Sequence, residues 1–507
     1  MFRIFGPPGT GKTTALLDMV DKALSSGVSP NKIAFLAFTR KAANEAKERA
    51  CERFKLDTQK DLQYFRTLHS LALTLSDIKP EQVMQAENYR ELSDKLGITL
   101  HVDRPSSDDL PDMLKAHDPI LGLINLARLR KVTLKEQYDI SSIEEPWVTV
   151  NYVARGLKEY KEANGLFDFT DMLEQFVHES HHFCPEFDLC FLDEAQDLSP
   201  LQWEIADLLE KKSKRMYCAG DDDQAIYKWA GADVHHFISM DGPSETLSQS
   251  YRVPKNVYDV ATKISNRIQV RHAKRYEPRD KEGYVTRVWN LNQLDMSEGE
   301  WLILAQAGYQ LSPVKETLKS NGLLFEYRGS RSINEKISVA VNAWEDLRKE
   351  RPISGKEART MYHYMSIGKG VKRGFKKLTG VDDGDMITFD ELKNSFGLLK
   401  DLEEIWHIAL DKIPEEERAY IIAMLRRGEK FNGIPRISVS TIHGSKGGEA
   451  DNVVLHTDLS WAAEQSSRLE PDDIHRVFYV GVTRAKENLY IVEPEDATRS
   501  YDLRKRK

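Results

Sequence analysis

One short stretch constrains this chain more than any other: Gly6-Pro7-Pro8-Gly9-Thr10-Gly11-Lys12-Thr13-Thr14. It fits the spacing GxxxxGK[ST], with a strand-like run, Arg3-Ile4-Phe5, before it and a helical pattern from about Lys12 to Ser25 after it. Glycines at these positions let backbone N–H groups turn inward onto phosphate oxygens, and the start of the helix adds its dipole. Lys12 is then the cation that reaches the β- and γ-phosphates, and Thr13 supplies a hydroxyl to Mg²⁺. Strand, glycine loop and helix in that order imply a parallel sheet with helices on its faces. In such sheets ligands sit beyond the carboxyl ends of the strands.

The rest of the chain extends this α/β pattern. An apolar run, Ile33 to Phe38, leads into a helix expected over Lys41 to Glu52. Leu189 to Leu192 and Met216 to Ala219 read as buried strands, each ending at a polar cluster. Between Leu71 and Leu166 the pattern turns helical. A second α/β block runs from about Leu247 to Arg331 and resumes at Ile437. The length of 507 residues gives room for three to four domains, and 40% hydrophobic with 30% charged residues excludes a disordered chain. Four cysteines without a CxxC pair argue against a disulfide framework or a zinc finger. The longest uncharged stretch, Trp301 to Val314, is too short to span a bilayer, and the first residues lack a signal-peptide pattern. A cytoplasmic protein with no membrane partner is expected.

Charge is uneven. With 72 basic and 80 acidic residues the chain is not a general nucleic-acid coat, although a local patch can still be basic. Over 341–380 basic residues dominate, interleaved with Tyr362, His363, Tyr364 and Phe375, whereas acids dominate over 381–418. The basic part reads either as a solvated helical face or as a nucleic-acid contact surface.

Two further clusters carry chemistry. Asp193-Glu194-Ala195-Gln196-Asp197 follows the run Leu189 to Leu192. A carboxylate at a strand end can hold Mg²⁺, and its neighbour can orient and deprotonate a water. Gly220 to Trp229 sets acids and Gln224 beside Tyr227 and Trp229, so a nucleotide-facing amide adjoins aromatics that are either core or a base-stacking surface. Arg252 and Arg484 are single arginines at strand or helix edges, each a surface ion-pair partner or a cation for phosphoryl transfer.

Taken in order, the motifs resemble the UvrD/Rep-type branch of superfamily 1 DNA helicases. The blocks are GPPGTGKT at Gly6, AFTRKAA at Ala37, RTLHSLA at Arg66, DFTDML at Asp168 and FLDEAQD at Phe191. AGDDDQAIYKWAGA follows at Ala219, then LSQSYRVP at Leu247, VSTIHGSKGGEAD at Val439 and VFYVGVTRAK at Val477. The resemblance implies two RecA-like motor domains, each carrying a mainly helical insertion. The first motor would occupy 1–70 and 166–246 with its insertion at 71–165; the second would occupy 247–335 and 436–507 with a reduced insertion at 336–435. It also implies residue roles. Asp193 would hold Mg²⁺ with Thr13, Glu194 would be the catalytic base, and Gln224 would sense the γ-phosphate. Arg252 and Arg484 would act as arginine fingers, Tyr251 would stack on adenine and Glu449 would bond the ribose. Phe38, Thr39, His69, Tyr227, Trp229 and His443 would contact single-stranded DNA. The implied activity is ATP- and Mg²⁺-dependent translocation on single-stranded DNA, 3′ to 5′, with unwinding at single/double-strand junctions. The alternatives are a translocase that displaces proteins without unwinding, a motor on RNA, and a nucleotide-switched binding module.

Overall fold

The computed structural model describes residues 1–38, 40–57, 60–101, 118–430 and 432–504. It divides into two compact units, Met1–Thr286 with Ile442–Lys507, and Arg287–Thr441. No helix among the described residues is long and apolar enough to cross a membrane.

The first unit is organised by a six-stranded parallel sheet built from β1 (Phe2–Phe5), β2 (Ile33–Ala37), β3 (Phe65–Thr67), β4 (Phe187–Leu192), β5 (Ser213–Gly220) and β6 (Ser244–Thr246). The spatial order is β3-β2-β4-β5-β1-β6, with Phe5 level with Gly220 and Leu192 level with Cys218. Helices cover both faces, so β2 is buried at all five positions rather than alternately. Helix α1 (Lys12–Ser25) buries Leu16, Leu17, Val20 and Ala23, one face at helical spacing, against Ile4, Phe35, Phe191 and Ala219 of the sheet. Helix α2 (Arg40–Phe54) adds Ala46 and Ala50 to the same core.

Between β3 and β4 the described residues are mainly helical, as the periodicity suggested. Helices Ala86–Leu96, Pro119–Arg130 and Trp147–Asn164 close on a core of their own that includes Leu92, Ile120, Leu121, Val150 and Val153. Asp118 caps the second of these, accepting from the N–H groups of Ile120 and Leu121. The C-terminal segment of the first unit contributes parallel strands Ala450–His456 and Ala485–Val492 and the helix Pro471–Val482.

In the second unit, Phe325–Tyr327, Ile437–Thr441 and Trp301–Ala305 lie side by side as parallel strands. Five helices between Glu335 and Arg426 surround a core that contains Trp344, Met361, Tyr362 and Ile421. Tyr362, set by sequence among candidate nucleic-acid contacts, is fully buried there and donates to the carbonyl of Phe396 at 3.1 Å. Its i−4 and i−1 neighbours Ala358 and Met361 share that buried face, which fixes its direction. Phe375 and His363 stay exposed and Tyr364 is half-buried.

Candidate functional site

The carboxyl ends of β1, β4 and β5 converge, and a cavity of about 350 Å³ opens beyond them. Its floor is the loop Pro8 to Thr14. Gly6 and Pro7 shape that loop from below: Gly6 donates to the Gly220 carbonyl at 2.9 Å, and Pro7 accepts from the Thr10 hydroxyl at 2.8 Å. Gly9 has φ +70°, and a Cβ on it would lie 2.3 Å from the Cβ of Arg252. Only glycine admits both the left-handed backbone and that approach. The Lys12 ammonium folds over the loop to the Gly6 carbonyl at 2.9 Å and stands 3.8 Å from Glu194.

Asp193 and Glu194 follow β4. The Thr13 hydroxyl donates to Asp193 at 2.7 Å, so a hydroxyl and a carboxylate stand side by side at the mouth of the phosphate loop. Burial, then the adjacent Glu194 charge, pushes Asp193 up to about 6. Burial works against ionised Glu194 too, but Lys12 and Lys446 outweigh it and hold Glu194 down at about 2. Glu194 has φ 55°, a left-handed conformation that a non-glycine residue adopts at a cost of about 1–2 kcal/mol. It turns the side chain into the cavity, where the Gln196 amide donates to it at 2.6 Å.

The opposite wall comes from residues distant in sequence. Arg484 is buried, donating to the Gln224 amide oxygen at 2.7 Å and to the carbonyls of Val480 and Gly448. Burial, followed by the charge of Arg252, lowers its pKa from the usual arginine value. Arg252 is paired with Glu449 across 197 positions. Tyr251 is 71% exposed at the rim, and its N–H donates to the Gly9 carbonyl at 2.8 Å. The Ser250 hydroxyl donates to the Pro8 carbonyl at 2.7 Å, so strand Gln249–Pro254 is laid directly on the phosphate loop.

Lys446 had not been singled out by spacing or composition. Its ammonium pairs with Asp197, donates to the Gln224 carbonyl at 2.9 Å and approaches Glu194 to 3.8 Å. Asp197, the last acid of the cluster after β4, is pushed up to about 7, chiefly by burial. A lysine between Ser445 and Gly447 in a polar loop carries no local signal of that role; only the fold brings it to the carboxylates.

Of the two readings open for Tyr227 and Trp229, core and stacking surface, the structure divides the pair. Tyr227 is 2% exposed and stacked on buried Phe38, with ring centroids 5.5 Å apart, and its hydroxyl donates to the His443 carbonyl. The Lys446 ammonium covers its ring at 5.0 Å. Trp229 remains 51% exposed, with the half-buried His443 ring edge-on at 6.2 Å. His69 lines a separate cavity of about 340 Å³ with Arg66, Lys47 and the rim of Phe38. Thr39 lies outside the described residues. Asp222 and Asp223 carry no cavity-facing role: both pair with cations of 271–274.

Comparison with known proteins places the chain. A family model described as UvrD/REP helicase N-terminal domain matches residues 2–244, and one described as UvrD-like helicase C-terminal domain matches residues 436–492. A probable DNA helicase II homolog of Rickettsia conorii is 24% identical over 98% of this chain and 90% of its own length. The ATP-dependent DNA helicase PcrA of Staphylococcus epidermidis is 21% identical over 96% of this chain and 80% of its own length. Among solved structures, the PRRSV helicase is 12% identical with a TM-score of 0.35, and the chain spans 55% of its length.

Proposed function

The chain belongs to the UvrD/Rep-type DNA helicases, ATP-hydrolysing enzymes of superfamily 1, and from that premise we propose that it translocates on single-stranded DNA in the 3′ to 5′ direction and unwinds duplex at single/double-strand junctions. The reading rests on one observation above the others: a single cavity gathers the phosphate loop, the Asp193–Glu194 pair, Gln224 and two arginines that are 232 positions apart (484 − 252). Phosphoryl transfer needs little covalent help from a protein but much charge stabilisation and alignment, and that is what this residue set offers.

In this proposal the Gly6–Thr14 loop wraps the phosphates and Lys12 leaves the Gly6 carbonyl for them. Tyr251, exposed at the rim, stacks on the base. Glu449 releases Arg252 and takes the ribose, freeing that guanidinium for the γ-phosphate beside Arg484. Gln224, already bonded to Arg484, aligns with the same phosphate. Glu194, held ionised by two lysines, accepts the proton of the attacking water. Thr13 and Asp193 suit a hard divalent cation: their oxygens are adjacent, and Asp193 is a buried carboxylate raised toward neutrality, the situation a nearby Mg²⁺ relieves. Mg²⁺ bound there would supply charge neutralisation for the phosphates.

The coupling to DNA runs through the short path from Gln224 to Tyr227 and Trp229. With Tyr227 closed on Phe38, only Trp229 is presented; a shift of Lys446 when nucleotide binds would unseal the pair, since the same ammonium contacts the Gln224 carbonyl and the Tyr227 ring. Each exposed aromatic is worth about 1–3 kcal/mol of sequence-independent stacking. The division into motor segments 1–70 with 166–246 and 247–335 with 436–507 is part of the proposal. Its test is Arg484→Ala: hydrolysis is expected to fall by about 10³-fold or more with nucleotide affinity largely kept. A variant that turns over ATP near the wild-type rate would contradict it. RNA in place of DNA as the activator would relocate the track but leave the nucleotide site standing.

A further inference from the structure

The loop after β5 carries three consecutive buried carboxylates, Asp221, Asp222 and Asp223. Three adjacent anions withdrawn from water require matching cations. They find them outside the nucleotide cavity, in the segment 271–274. The Lys274 ammonium, itself only 1% exposed, lies 3.0, 2.6 and 2.8 Å from the three carboxylates. Arg271 grips Asp223 with two bonds of 2.8 and 2.6 Å, and the His272 N–H donates to Asp222 at 2.7 Å. Arg476 completes the set, donating to the Asp222 carbonyl at 3.0 Å. Three carboxylates thus share two cations, Lys274 and Arg271, with Arg476 on the backbone beside them.

We propose that Lys274 is a positioning residue of ATP hydrolysis, acting through Asp221 to set the direction in which Gln224 presents its amide to Arg484. An ionised carboxylate only accepts hydrogen bonds. Asp221 takes the Gln224 Nε2 at 2.6 Å, which leaves Oε1 as the end that meets the Arg484 guanidinium at 2.7 Å. Turned the other way, the amide would set donor against donor. Lys274 is the cation that anchors Asp221 in this pose, since Arg271 is occupied by Asp223.

The same segment also holds the other partner of that contact. Asp472 accepts from the N–H groups of Gln269 and Val270 at 2.9 Å each, and Arg476 donates to the Val270 carbonyl at 2.6 Å. Both residues lie on the helix Pro471–Val482, which runs directly into Arg484. The Tyr276 and Tyr479 hydroxyls meet at 3.4 Å, and His272 stacks on Phe5, the residue before the phosphate loop, at 3.9 Å. A displacement of 269–276 therefore shifts Gln224, Arg484 and the base of the phosphate loop together. The segment is a mechanical link between nucleotide state and the surrounding fold, which goes beyond pairing buried charge. This inference rests on Gln224 and Arg484 acting at the γ-phosphate.

The test uses the full chain. Lys274→Met combined with Asp222→Asn removes one charge of each sign, so the net charge of the cluster is unchanged. The expected result is a loss of about tenfold or more in kcat for DNA-stimulated hydrolysis, with the KM for ATP and the affinity for a fluorescent ATP analogue changed by less than about twofold. Asp221→Asn, with Lys274 in place, breaks the same link and is expected to give the same loss, and the three substitutions together should cost little more than either change alone. A purely structural role predicts a lower melting temperature with wild-type kcat per folded molecule. That outcome, in whichever of the two variants is folded, overturns the inference. Gln224→Ala separates the premises: if it also hydrolyses at the wild-type rate, the reading of the γ-phosphate site has failed instead.

Discussion

Lys446→Met tests the nucleotide site through its electrostatics. The substitution keeps the length of the side chain and deletes one charge. Asp197 then loses its cation while its second oxygen, Oδ1, already lacks a partner among the described residues. Breaking a buried pair in this way costs about 3–5 kcal/mol when the remaining charge cannot escape. Asp197 can escape by taking a proton, because burial has already pushed it up to about 7 with Lys446 present. Removing Lys446 raises it further. Below pH 7 the carboxyl is mostly protonated in both folded proteins, so the substitution costs little there. Above pH 7 the wild-type group ionises beside Lys446 whereas the variant must keep its proton. The folded variant then binds more protons than its unfolded state, and the stability difference grows by up to about 1.4 kcal/mol for each pH unit until the variant's own pKa is reached. Denaturant unfolding of both proteins at pH 6, 7, 8 and 9 measures it. A stability difference that is flat across this range would refute the placement of Lys446 on Asp197.

Two further variants probe the phosphate loop and the basic stretch. Gly9→Ala forces a side chain into left-handed backbone and to within 2.3 Å of the Arg252 Cβ; strain of about 1 kcal/mol and overpacking of about 1–3 kcal/mol together predict a fold about 2–4 kcal/mol less stable, and wild-type stability in denaturant unfolding would contradict it. Replacing Lys369, Lys372, Arg373 and Lys377 with Gln tests the basic stretch, where four exposed cations stand in a run without Asp or Glu from 358 to 381; if it contacts nucleic acid, the slope of log affinity for duplex DNA against log salt falls by about 0.9 per lost contact, and an unchanged slope assigns the stretch to solvated surface.

What was legible in the sequence follows from what local chemistry encodes. The phosphate loop, β1, β2 and helix α1 were readable because a glycine pattern lies between a short apolar run and a helical period, and α1 begins at Lys12 and ends at Ser25 as expected. Strands β4 and β5 were placed but drawn short, at 189–192 and 216–219. Their first residues, Phe187-Asp188 and Ser213-Lys214-Arg215, are partly polar where the strand starts at the surface. The carboxylates after β4 fell where a sheet of this kind puts a ligand. Less readable was the partner of each charge. Asp221, Asp222 and Asp223 had no partner legible beside Gln224; Lys274 and Arg271, about 50 positions later, claim them. Tyr227 could be read as core or as stacking surface, and its cover could not be named, because Phe38 and Lys446 come from segments 189 positions before it and 219 after it (227 − 38; 446 − 227). Periodicity reports one element at a time, and these contacts exist only between elements.

If a nucleotide site and a DNA track are coupled in one motor, hydrolysis depends on both. Steady-state ATP hydrolysis by the full chain, with and without single-stranded DNA and alongside Lys12→Ala, tests it most directly. The account predicts strong stimulation by DNA in the wild type and loss of hydrolysis in the variant. Hydrolysis that is abolished in Lys12→Ala yet indifferent to DNA in the wild type would contradict the coupling through Gln224, Tyr227 and Trp229.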